Sequence, residues 1–138
     1  MIYAQEILEL YPWFSTTVGG RSWSITSAQP HYGYLDTNYG DSTDSHTWDD
    51  VALKAGTWSA TELCVKAIDS GIVHLANGGA SLATMDTYTH PAVYGQKVTA
   101  TGITLAPGDI SVNPSTKNAS AIDYYNHLTY LRLVRTGD

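Results

Sequence analysis

The sequence predicts an all-β fold, a single sandwich or barrel of antiparallel strands. Three observations point there. Short runs of apolar residues alternate with polar ones, turn residues recur about every ten positions, and after Gly20 no window of a dozen residues sustains a 3.6-residue period. At 138 residues the chain suits one domain plus at most a short arm. The boundary is expected at residues 19–20, with an N-terminal arm over 1–20 and the sandwich over 21–138.

The elements follow in order. Glu6 to Tyr11 forms a short apolar run that Pro12 cuts off, and Gly19-Gly20 then reads as a hinge. Such a segment suits an arm docked on a neighbour, through Ile7, Leu8, Leu10, Trp13 and Phe14. The alternative is a first strand packed on its own domain. Ser22 to Thr26 alternates as a half-buried strand does, whereas residues 29–47 read as an irregular stretch of Pro, Gly, Tyr, Asp and Ser. Thr47–Leu53 is a candidate strand. The longest signal is Thr57 to Ile68, where Trp58, Ala60, Glu62 and Cys64 alternate with Ser59, Thr61, Leu63 and Val65. Asp69-Ser70-Gly71 turns the chain into Ile72–Leu75, and Asn77-Gly78-Gly79 has the positive-φ tolerance of a hairpin turn. Ser81–Asp86, Val93–Leu105, Ile110–Asn113 and Leu128–Arg135 complete the set. The final strand puts Leu131 and Leu133 on one face and Arg132 and Val134 on the other, a pattern that keeps an edge or outer face soluble. Asn113 to Asp123 carries almost no apolar weight and reads as a surface loop.

Composition excludes several function classes. Charged residues make up only 14%, yet ten Tyr and four Trp stand against one Phe, so aromatic weight falls on rings with a polar tip. A net charge of −6 disfavours nucleic acid. Nothing is long and apolar enough for a membrane-spanning helix, and the start lacks a signal-peptide pattern. The expectation is a soluble, complete gene product. The lone Cys64 excludes a disulfide framework and reads as a small core residue.

Five acidic residues lie between Arg21 and Lys54 with no Lys or Arg among them. Within this stretch Asp36, Asn38 and Asp41 approach a calcium loop, but Gly40 and Thr47 stand where two further ligands belong, so they are weak metal candidates and no cofactor is expected. Tyr32, Tyr34, Asp36, Asn38 and Trp48 could hold a sugar, with rings for its faces and amide or carboxylate groups for its hydroxyls; Tyr124-Tyr125 could join them. The bland alternative is an ordinary polar loop or a protein contact. Asp49, Asp50 and Glu62 supply a carboxylate pair by number only. The five His are scattered, and no nucleophile or phosphate motif is present, so no catalytic residue is assigned and the chain is not expected to be an enzyme. His74, inside a strand, reads as a satisfied face residue.

From Trp48 onward the chain resembles a jelly-roll domain of bacteriophage virion proteins (head fibres, capsid decoration proteins and tail-fibre tips). The resemblance rests on Ala55-Gly56-Thr57-Trp58-Ser59-Ala60-Thr61, Asp69-Ser70-Gly71-Ile72-Val73, Thr84 to Tyr88, Thr101 to Leu105 with Pro107-Gly108-Asp109, and Thr116 to Ser120. Tyr124-Tyr125 and Leu128 to Thr136 complete it. Glu62 and Ala60 depart from the pattern, standing where larger apolar residues are usual. The resemblance implies a jelly-roll β-sandwich of about eight antiparallel strands, a homotrimer, and a place in the virion after assembly in the host cytoplasm. Its implied role is a structural subunit that decorates the capsid, binding the major capsid protein or another virion protein through the arm. The alternative it implies is a receptor- or glycan-binding module at a tail-fibre tip.

Overall fold

The computed structural model of the chain describes residues 6–18, 24–27, 34–38 and 45–138. Two antiparallel sheets face each other. One runs β3-β4-β11-β6-β9 and the other β2-β5-β10-β7-β8. The strands are β1 (Ile7–Leu10), β2 (Thr16–Val18), β3 (Ser24–Ser27), β4 (Tyr34–Asn38), β5 (Ser45–Val51), β6 (Gly56–Lys66), β7 (Ile72–Asn77), β8 (Ala80–Asp86), β9 (Val93–Leu105), β10 (Gly108–Thr116) and β11 (Asn126–Gly137). The eight strands of the expected jelly roll are the two layers β4-β11-β6-β9 and β5-β10-β7-β8. The three short strands β1, β2 and β3 extend those layers.

The period-two pattern of β6 holds from Trp58 to Glu62, beyond which Leu63 and Val65 of the opposite face are buried as well. Trp58, Ala60, Glu62 and Cys64 are all buried, and Leu131 and Leu133 of β11 lie opposite Glu62 and Ala60. Val73, Leu75, Ile110 and Val112 close the core from the facing sheet. The buried indoles of Trp58 and Trp48 have their N–H satisfied: Trp58 Nε1 donates to the Lys54 carbonyl at 3.0 Å, and Trp48 Nε1 to the Tyr11 carbonyl at 2.8 Å.

β9 is a long edge strand that two bulges bend. Its register with β6 slips between the Trp58 and Ala60 pairs and again between the Cys64 and Lys66 pairs. Gly102 (φ +68°) and Gly95 (φ +61°) take the left-handed conformation at those slips. An edge broken twice is a poor template for another chain's strand.

Three segments differ from the sequence reading. Ile7–Leu10, expected within an arm, is a strand of the domain's own sheet: Leu8 pairs with Leu133 and Leu10 with Leu131, and both pack against the core. Those two leucines therefore serve the core and are not open to a partner. Tyr34–Asn38 lies in the stretch read as irregular, yet pairs with both β3 and β11. Its Asp, Thr and Asn carry no apolar alternation, so the ladder offered by β11 decides, not local preference. Finally, β10 runs on through Pro114 to Thr116. Proline is tolerated because the ladder to β5 has ended at Val112, and the ladder to β7 skips from Asn113 to Thr116. β11, for its part, is an interior strand, so Arg132 keeps an outer face wet and not an edge.

Candidate functional site at the loop end of the sandwich

The strand directions gather three described connections at one end: residues 67–71 between β6 and β7, 87–92 between β8 and β9, and 117–125 between β10 and β11. Backbone hydrogen bonds sew them side by side, with 67–71 in the middle. On one flank Ala67 N–H donates to Thr87 O, Thr87 N–H to Gly71 O and Thr89 N–H to Ala67 O, each at 3.2 Å. On the other flank Ile122 N–H donates to Ile68 O and Tyr125 N–H to Asp69 O at 2.9 Å, and Gly71 N–H to Tyr125 O at 2.8 Å. Gly71 is favoured by space, not by φ: a Cβ there would crowd its neighbours, 3.1 Å from both Pro114 Cβ and Thr116 O and 3.3 Å from Tyr124 Cα. The result is a platform of three loops with tyrosines on both flanks, Tyr88 on one and Tyr124 and Tyr125 on the other, all half-buried.

Side chains lock this platform. Lys117 Nζ donates to the Ala121 carbonyl at 2.8 Å and sits 5.5 Å from the Tyr124 ring centroid, an ammonium over an aromatic face. Asn118 Oδ1 accepts from Ser120 N–H at 3.1 Å, while its Nδ2 donates to Asp86 Oδ2 at 3.3 Å. The other oxygen of Asp86 accepts from Tyr88 N–H at 2.9 Å. Beneath Tyr125, His127 Nε2 lies 3.1 Å from Asp69 Oδ1, and that hydrogen bond holds the Asp69 carboxyl below its ordinary range. Tyr125 meets His127 edge-on at 5.7 Å. Ser70 in the central loop and Asn126 at the start of β11, both fully buried, have side-chain polar atoms that find no partner.

The residues singled out from the sequence scatter more widely. Tyr124 and Tyr125 are on the platform. Asp36 and Asn38 stand on β4 opposite Leu128 and Asn126, which brings the end of β4 to the same rim; Tyr34 stands opposite Ser27. Tyr32 and Asp41 lie outside the described residues. Trp48 is a correction: at 5% exposure, with its indole stacked near His46 and bonded to Tyr11, it is a core residue and presents no face to a sugar. Of the apolar residues assigned to the arm, Ile7 and Phe14 are exposed at 58% and 76%, and Trp13 lies in the 3-10 turn Pro12–Phe14. Glu62 is sealed in the core while Asp49 and Asp50 are at the surface, so they make no working carboxylate pair. Among the described residues no group of three or more His, Cys, Asp or Glu could hold a metal ion. His74 is satisfied as expected, its ring nitrogens 3.1 Å from Ser81 Oγ and 2.8 Å from Thr116 Oγ1. Tyr88, Asp86 and Lys117 were not singled out by chemistry. The available signal was an Asp two residues before a Tyr, the spacing of a side chain that caps its own turn.

Comparison with known proteins bears on this geometry. No known family's sequence model matches the chain, and no curated protein is similar to it in sequence. Solved structures do match. The CBM36-1 domain of a multidomain xylanase from the hindgut metagenome of Trinervitermes trinervoides is 16% identical, with a TM-score of 0.65 over 96% of this chain and 99% of that one. A carbohydrate-binding module CBM36, solved with calcium and xylotriose, is 14% identical with a TM-score of 0.63 over 91% and 98%. A Paenibacillus xanthan lyase reaches 0.67 at 16% identity, but there the match spans 93% of this chain and only 13% of the lyase. At these identities the likeness shows the fold: this chain is a jelly-roll β-sandwich of the kind found in carbohydrate-binding modules.

Proposed function

We propose that the domain binds carbohydrate through the loop-end platform. The observation that carries this reading is the pair of tyrosine-bearing loops, 87–92 and 117–125, sewn to opposite flanks of one central loop. Half-buried tyrosines offer flat apolar faces, and hydrogen-bonding groups stand between them. That combination suits a pyranose, apolar on its faces and hydroxylated at its edges. The likeness to carbohydrate-binding modules over nearly the whole chain supports the same class, and the glycan-binding alternative is thereby favoured over capsid decoration.

The charge of the platform points to a neutral glycan. Asp69, Asp86 and Asp123 stand against Lys66 and Lys117, the latter's ammonium already committed to a carbonyl and a ring, and the chain as a whole carries −6. A polyanion would be repelled. The test is calorimetry with xylo- and cello-oligosaccharides beside polyuronates. Binding of a neutral oligosaccharide, weakened about tenfold or more in Tyr124→Ala and Tyr88→Ala with Tm retained, is the expected outcome. Binding that survives both substitutions would remove the platform from consideration.

The finer form of this reading is glycan binding at a phage tail-fibre tip. It rests on the sequence resemblance described above, and labelling of the domain on assembled particles tests it. Signal on the head, or no signal on any particle, would discard that setting and leave the binding reading in place.

A further inference from the structure

We propose that Asp86 is the positioning residue of the platform, one carboxylate that fixes both tyrosine-bearing loops at once. This rests on the carbohydrate-binding reading. Asp86 is the last residue of β8, so its backbone is anchored in a sheet while its side chain reaches beyond the strand end. Its Oδ1 accepts from Tyr88 N–H at 2.9 Å and sets the turn that presents Tyr88. Its Oδ2 accepts from Asn118 Nδ2 at 3.3 Å. Asn118 in turn uses its own Oδ1 to hold Ser120 N–H at 3.1 Å, and its carbonyl to hold Ala121 N–H at 2.9 Å. Ala121 is the residue whose carbonyl receives Lys117, and Lys117 lies over Tyr124.

A continuous relay therefore runs from the Tyr88 amide through Asp86 and Asn118 to the loop that carries Tyr124. The backbone bonds through 67–71 set the spacing of the two flanks near the core. The Asp86–Asn118 bond joins the same two loops directly, outside that middle segment. Both residues sit where no apolar packing could do the same work: Asp86 is exposed and Asn118 half-exposed, so the link contributes little to the core. Its effect falls on preorganisation of the ligand surface, which raises affinity by reducing the ordering cost of binding.

The relay has a direction, and that makes it testable by exchange of chemistry. In D86N the Tyr88 link survives, but an amide then faces the Asn118 amide. In the double variant D86N/N118D the amide at position 86 donates to the carboxylate at position 118, whose second oxygen still accepts Ser120 N–H, so every bond of the relay is regained. Affinity for the neutral oligosaccharide is expected to fall about tenfold in D86A and by a smaller factor in D86N, and to return within about twofold of the parent in the double variant. Tm is expected to hold throughout. Amide exchange, measured without ligand, is expected to quicken at Tyr88 and Ser120 in D86A and to slow again at Ser120 in the double variant relative to D86N.

Unchanged affinity in D86A, or no recovery in the double variant, would overturn the inference. If the parent protein binds no oligosaccharide, the carbohydrate reading fails. The relay is then judged on exchange alone, and protection at Tyr88 and Ser120 that ignores D86A would overturn it.

Discussion

The two ends of the sandwich interior differ in kind. At the end holding Leu53, Trp58, Leu105 and Ile110 the core is apolar, each residue is essentially inaccessible, and the Trp58 N–H is bonded. Toward the loops buried polar groups join the apolar ones: beside Val73, Met85 and Leu128 lie His46, Ser70, Thr87 and Asn126, all fully buried, with Glu62 at the midpoint of β6. The apolar end gains from burial, at about 25 cal/mol per Å² of apolar surface removed from water. The loop end forgoes part of that gain at Ser70 and Asn126, since a buried polar group without a partner costs about 1–3 kcal/mol. The candidate site thus stands over the end whose interior mixes apolar and polar groups.

The largest effect is expected from the apolar end. Trp58→Ala should cost roughly 3–5 kcal/mol and Leu133→Ala roughly 2–5, read by denaturant unfolding. Losses confined to a few tenths would mean that the core is not where stability resides.

Next comes the midpoint. Glu62 has no hydrogen-bond partner, and burial pushes its carboxyl up to about 8 from an ordinary 4.5. The folded state keeps a proton that the unfolded chain releases, so stability falls as pH rises from about 4.5 to about 8. His46 has the opposite sign: burial drives its imidazole down to about 3 from 6.5. There the unfolded chain binds a proton the fold refuses, so stability falls as pH drops from about 6.5 towards 3. Each slope is roughly 1.4 kcal/mol per pH unit in its window. They oppose each other between about 4.5 and 6.5, where a stability plateau is expected. Glu62→Met should stabilise the fold by a few kcal/mol near pH 8, much less near pH 4.5, and flatten the alkaline arm. An alkaline arm that persists in this variant would assign the effect to another group.

The smallest effect belongs to the surface. Lys54 reaches Glu6 at 3.4 Å with both side chains more than half exposed. Lys54→Ala should therefore change stability by at most about 0.5 kcal/mol. A larger loss would show that β1 depends on this pair and not on Leu8 and Leu10.

How far the residues foretold this arrangement varies by segment. β6, β7, β9 and the Leu131/Leu133 face of β11 were legible because a half-buried strand writes its burial as period two. Cys64 and His74 were read correctly for similar local reasons. Strand β4 was not legible, because its pairing is supplied by β11 across nearly a hundred residues of chain. The first strand was ambiguous, since an apolar run before a proline looks alike whether it packs at home or on a neighbour. Trp48 was misplaced among sugar contacts because a tryptophan beside aspartates resembles a surface ring. Its burial depends on Tyr11, whose carbonyl takes the indole N–H. On the platform, Tyr124-Tyr125 could be suspected from composition, whereas Tyr88, Asp86 and Lys117 gained meaning only from their neighbours.

By itself, then, the order of residues determined the layers. Alternation, turn chemistry and the scarcity of charge are local, and they suffice to dictate a two-sheet β fold with an apolar interior. Only the tertiary structure decided which turns meet. Three connections separated by tens of residues become one surface because antiparallel strands bring alternate loops to the same end, and no local pattern encodes that adjacency.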